Sequence, residues 1–279
     1  MVARDDAQRI NRFVLLKCYF DGGNEVDWEQ PDRIVRMTLA TVCGLSEQWR
    51  AFDPYWKKVL HNHKAPPLHT TDAVSLQGEF SKSKGWTRES VDALILDCVR
   101  LIGEHIAIPL EIPGVEARHG IFVTTLSIKP DDYRKARETL PLLPNSVADI
   151  LASESVGFCF QWGMHIGTHW YQFYFDQGES FYGHVRDRLN QPKSKKAIPL
   201  MSKVARLGES NMRESPALQV ADLFAWCINH NDHVVRDWHQ LLHGLPWRSL
   251  FLDHDLLCRP KEGTLERIAS WKLPRRRPT

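Results

Sequence analysis

FVLLKCYF, residues 13–20, followed at once by Asp21-Gly22-Gly23-Asn24, is the stretch on which the fold turns. An apolar run interrupted only by Lys17, aromatic and β-branched in part, suits a strand covered on both faces. Asp tolerates the left-handed region and Gly supplies positive φ, so the strand is expected to stop at Asp21 in a turn. RIVRMTLATVCGL (33–45) alternates enough to be its hairpin partner, and SEQWRAFDPYWKKVLHNH behind it has helical spacing broken by Pro54. The chain therefore opens β, β, α.

Outward from there the same design returns once, in THWYQFYFD (168–176), an aromatic strand closed by Asp176-Gln177-Gly178. Between the two lie an amphipathic helix from Thr87 to about His105, with Thr87 and Ser90 as a cap, and a strand from His119 to Ile128. A helix entered on Pro130 and another from Pro144 to about Trp162 follow. Beyond Asp176 the pattern predicts a helix over Ser180–Asn190, a strand from Ile198 to about Leu207 and a helix from Ser215 to about Asn231. Short helical pieces fill 232–272. There is no internal repeat and no linker long enough to require two domains. The fold class is mixed α/β.

The composition is that of a globular chain: 279 residues, 43% hydrophobic and 25% charged. A net charge of +2 excludes a polycation that coats nucleic acid, so any such contact must be a local patch. The dense basic run, Lys272 with Arg275, Arg276 and Arg277, reads as a solvated tail, with phosphate contact as the alternative. Six cysteines without a CxxC pair sit in apolar surroundings that suit buried free thiols and a reducing compartment. The N-terminus lacks a signal-peptide core and no 18-residue apolar run occurs. A cytoplasmic location away from the membrane is expected.

The chemistry is carried by carboxylates. Asp21 and Asp176 each close an apolar strand, where α/β sheets gather ligand-binding groups, although a turn role suits either. In SPALQVADLFAWCI (215–228) nearly every side chain is apolar, which marks a helix buried all round. Asp222 is the exception, on one stripe with Ser215, Gln219 and Trp226. A carboxylate there calls for a metal, a cation or a hydrogen-bond network. Three such acids make an oxygen-rich cage suited to Mg²⁺ or Mn²⁺ rather than zinc. Two such ions can activate a water against a phosphodiester.

The early strand ending in Asp21, the His69-Thr70-Thr71-Asp72 element, the strand ending in Asp176 and the helix Leu218-Gln219-Val220-Ala221-Asp222-Leu223-Phe224-Ala225-Trp226 together resemble the domain-of-unknown-function 3800 family. The resemblance runs from about Phe13 to Asn231 and implies a ribonuclease H-like mixed sheet flanked by helices. On that reading 1–231 is one domain with helical insertions at about 46–68 and 131–162, and 232–279 is a helical extension with a basic tail. It also implies a metal-dependent nuclease acting on RNA or DNA, associated with phage defence or mobile elements and their protein partners. Asp21, Asp176 and Asp222 then match the metal-binding acids, and His69 and Asp72 match an HxxD element that serves as a fourth ligand or a proton-transfer group. The family's first strand continues Asp-Glu-Ser-Gly; here it reads Asp21-Gly22-Gly23-Asn24-Glu25, so the role of its Glu must pass to Glu25 or be missing.

Weaker signals stand beside these. Glu179 and His184 are candidate auxiliary ligands, with an exposed helix face as the alternative. His61-Asn62-His63 spells a nuclease motif without its setting, and His165 with His169 has zinc spacing but straddles Gly167. His230 and His233 read as surface histidines. Trp86, Trp170, Trp226 and Trp247 offer stacking surfaces to single strands but suit a core better. No dinucleotide, P-loop or serine-hydrolase motif occurs. Two rival functions remain: a catalytically degenerate adaptor that binds protein or nucleic acid, and a metal hydrolase for a small phosphate ester.

Overall fold

The computed structural model describes residues 14–27, 29–30, 32–107, 120–141, 143–144, 146–190, 202–230 and 236–258. His119, His233, the QPKSKK linker, the start of the strand expected from Ile198 and the basic tail lie outside them. The first strand, β1 (Leu15–Val26), alternates as a doubly covered strand must: Leu16, Cys18 and Phe20 are fully buried on one face, while Tyr19 and Asp21 take the other. β2 (Ile34–Leu45) pairs antiparallel with it and β3 (Phe122–Ile128), buried at every residue, pairs antiparallel with β2. β4 (Trp170–Asp176) joins the other side of β1 in parallel, Phe20 opposite Phe175, and β5 (Val204–Ser210) adds parallel to β4. A short β6 (Arg248–Phe251) lies parallel to β3 at the far edge, giving the order β5-β4-β1-β2-β3-β6.

Helices cover both faces. On one, α4 (Pro130–Thr139), α5 (Val147–His165) and α6 (Ser180–Asn190) close over Leu16, Phe20, Phe173 and Phe175, with α9 (His254–Cys258) against α4. The stacked Phe20 and Phe175 rings, centroids 4.5 Å apart, lock β1 to β4 in register. On the other face α7 (Pro216–Asn229) lies directly on β1 and β2. It is covered in turn by α1 (Ser46–Asn62), the short α2 (Thr70–Ser75), α3 (Arg88–His105) and α8 (Asp237–His243). The five described cysteines before Cys258 are free and buried, as expected. Among the described residues no helix is long and apolar enough to cross a membrane.

Four local expectations are corrected. β1 does not stop at Asp21: it runs to Val26, paired with β2 through Gly22 and Gly23. The two glycines serve close approach rather than a turn. A Cβ on Gly22 would meet Phe181 at 2.6 Å, and one on Gly23 would meet Asn229 at 2.6 Å. Pro54 does not break α1, because the buried stripe Trp49, Phe52, Trp56 and Leu60 holds both halves of the helix to one surface. The described β5 begins at Val204, later than the sequence pattern suggested, and the segment read as helical pieces beyond 231 contributes the edge strand β6. The Thr87 cap is reciprocal as expected: its Oγ1 accepts from Ser90 N and its own N–H donates to Ser90 Oγ.

Candidate functional site

Register brings the first two acids together. Phe20 sits opposite Phe175, so the next step along two parallel strands sets Asp21 beside Asp176 on the α7 side of the sheet. Parallel neighbours are about 4.8 Å apart in the hydrogen-bonding direction. Asp176 ends β4, and there the turn reading holds, since Gly178 has φ of +82°. The Asp176 carboxylate accepts the backbone N–H of Met212 at 2.9 Å, which ties the end of β4 to the loop entering α7.

Asp222 arrives from α7. All fourteen residues of this helix are buried, and Ser215 caps it by accepting from Leu218 N. The polar stripe along one side of α7 organises the neighbouring loop. Gln219 Oε1 accepts from Trp56 Nε1 at 2.8 Å and from Leu68 N at 3.0 Å, and its amide donates to Met212 O at 2.9 Å. One turn on, Asp222 accepts the backbone N–H of Thr70 at 2.6 Å. These bonds hold the first turn of α2, and with it His69 and Asp72, against the acids. His69 Nδ1 lies 3.1 Å from Asp72 Oδ2, and both side chains remain about half exposed.

A fourth carboxylate completes the group. Glu179, between β4 and α6, accepts the N–H of Gly22 at 3.0 Å, and a Cβ on Gly22 would lie 2.7 Å from its Oε2. Gly22 has no side chain to fill this space, and the carboxylate of Glu179 takes it. Glu25 does not supply the carboxylate: three residues beyond Gly22 on β1, that side chain pairs with Arg36 at 3.3 Å.

The electrostatics are those of crowded acids. Burial raises the pKa of Asp21 well above the ordinary aspartate range, and Asp222, Glu179 and Asp176 raise it further against the single opposing hydrogen bond from Gly22. Burial also raises Asp222, opposed by the Thr70 N–H and by the nearby His69. Among the described residues no ion pair neutralises either aspartate. Of these acids Asp176 lines a cleft of about 810 Å³, whose walls also include His69, Asp72, Asn211 and Arg213. Chemically, this is a crowd of acids, two of them buried, beside a groove with Arg213 in its wall.

The other candidates do not converge there. His184 Nδ1 bonds Asp149 on α5 at 2.6 Å, away from the carboxylates. His63 pairs with Asp97, His169 Nδ1 accepts from Val14 N, and His230 Nδ1 bonds Trp226 O; among the described residues none of the spaced histidines singled out in the sequence falls in a three-residue metal-ligating group, and His233 lies outside them. Trp226 is core and stacks on His230, while Trp170 is partly exposed. Three-residue groups whose donor atoms all lie within 4.8 Å of one another are, among the described residues, Cys18-Cys43-Cys159 and Cys227-His239-His243; the aspartates stand wider. Sequence reading passed over the second group although its His239-x-x-x-His243 spacing was visible. No protein-family model matches the chain, and no curated protein matches it in sequence.

Proposed function

We propose that the chain is a ribonuclease H-like, divalent-metal-dependent nuclease hydrolysing phosphodiester bonds of RNA or DNA. The observation that carries the reading is the meeting of Asp21, Asp176, Asp222 and Glu179, from two adjacent parallel strands, a loop and a buried helix, with no salt bridge to the buried two among the described residues. The antiparallel β1-β2-β3 meander extended by parallel β4 and β5 supports the ribonuclease H-like assignment.

The donor set fits Mg²⁺ or Mn²⁺: it is all oxygen, and among the described residues no ion pair neutralises Asp21 or Asp222. Asp21, Asp176 and Asp222 would hold them, with Glu179 beside Asp21. Such ions, when bound, activate a water and stabilise the leaving oxygen. The protein's own part is orientation and proton transfer. Asp72 fixes His69 through Nδ1, leaving Nε2 to exchange a proton at the cleft, and Arg213 in the cleft wall can meet a phosphate of the substrate.

The test is Mn²⁺-dependent cleavage of a panel of single-stranded, duplex and hybrid oligonucleotides by the wild type and by Asp222→Asn. Loss of cleavage in the variant is expected, and equal activity in both would sink the assignment. Titration calorimetry with Mn²⁺ separates the adaptor reading: a fold kept only for binding partners binds no divalent ion here.

A further inference from the structure

We propose a second metal site, for Zn²⁺, built from Cys227 near the end of α7 and from His239 and His243 on α8. The two histidines are four residues apart on one helix and so share a face, with ring centroids 4.6 Å apart. Cys227 Sγ lies 3.3 Å from His243 Nε2, and donor atoms of all three residues fall within 4.8 Å of one another. Two ligands of one tetrahedral zinc, with Zn–S of about 2.3 Å and Zn–N of about 2.0–2.1 Å, stand roughly 3.6 Å apart. The second observation is His239 itself: only 4% exposed, it carries a buried Nε2 with no hydrogen-bond partner. A buried imidazole nitrogen left unpaired is costly unless something binds it.

The chemistry selects the ion. One sulfur and two imidazoles are borderline-soft donors that favour zinc over the hard cations suited to the carboxylates. His243 is exposed, so a fourth position faces solvent. A metal there would clamp α8 to α7 at a point five residues beyond Asp222, steadying the helix that carries the buried acid.

Co²⁺ is the probe, titrated into the full chain after stripping with chelator and under reducing conditions. One equivalent should produce a thiolate-to-cobalt charge-transfer band that Zn²⁺ displaces, and Zn²⁺ at a hundredfold excess over Kd should raise Tm by about 5 °C. The band should disappear in Cys227→Ala, survive in Cys159→Ala, and weaken with at least a tenfold loss of affinity in His243→Ala. His243 is exposed, so that last variant decides the matter if Cys227→Ala does not fold. Absence of the band in the wild type, its survival in Cys227→Ala, or undiminished affinity in His243→Ala overturns the proposal. Loss of the band in Cys159→Ala would move the thiolate to the Cys18-Cys43-Cys159 group and overturn it as well. An oxygen-only site gives no thiolate band, so the result does not depend on the nuclease reading.

Discussion

Asp222→Asn is expected to make the metal-free protein more stable near neutral pH. The carboxylate is 7% exposed on a helix buried throughout, and that burial, with Asp176 adding to it, raises its pKa against the pull of Thr70 N–H and His69. An acid whose folded pKa lies above its unfolded value of about 3.9 keeps its proton in the fold after the unfolded chain has lost it. Stability therefore falls as pH rises from about 4 through the raised value, by about 1.4 kcal/mol for each unit of the rise. Asparagine keeps the shape and offers an oxygen to Thr70 N–H, so its own cost is the change from a charge-assisted to a neutral hydrogen bond, about 1 kcal/mol.

The variant should melt above the wild type at pH 7.5 in chelator wherever that loss exceeds the hydrogen-bond cost, each kcal/mol of the difference being worth roughly 2–4 °C in Tm. The gap should narrow as pH falls toward the unfolded value of about 3.9. Adding Mn²⁺ should reverse the order, because only the wild type retains the full ligand set. Scanning calorimetry at three pH values, with and without Mn²⁺, checks each step. A variant that melts below the wild type by the same margin at every pH would refute the reasoning: Asp222 would then be a stabilising hydrogen-bond acceptor and no more.

Three further outcomes are expected. Gly22→Ala places a Cβ 2.6 Å from Phe181 and 2.7 Å from Glu179, so urea unfolding should show a loss of about 1–3 kcal/mol, and Mn²⁺ affinity should drop as Glu179 is displaced. Gln219→Leu removes the partner of Trp56 Nε1, Leu68 N and Met212 O together, and a shift of the urea midpoint equivalent to about 2–5 kcal/mol is expected from the buried groups left unpaired. Asp72→Ala should leave Tm nearly unchanged, since its contact with His69 is half exposed, yet lower metal-dependent cleavage about 10- to 100-fold through loss of His69 orientation. Activity and melting measured on the same preparation distinguish that result from unfolding.

Periodicity carried far in this chain. The apolar run before Asp21, the capped helix from Thr87 and the all-apolar stretch around Asp222 announced β1, α3 and α7 because each pattern is local: burial on two faces, a reciprocal cap, and a helix with no polar side. The oddity of Asp222 in that stretch marked it as a candidate before any partner was known. What the sequence could not decide was which atoms meet it. Asp-Gly-Gly read as a turn, because a glycine chosen for positive φ and a glycine chosen for close approach look alike in one dimension. Only the packing of Phe181, Glu179 and Asn229 over β1 tells them apart. Likewise the sequence left Glu179 open between an auxiliary ligand and an exposed face until the parallel register of β1 and β4 carried it to Gly22, and Cys227 met His243 only once α8 had folded back along α7. Side-chain alternation and helical stripes are written residue by residue, whereas the crowding of the acids is a property of long-range pairing and comes into being only in the tertiary fold.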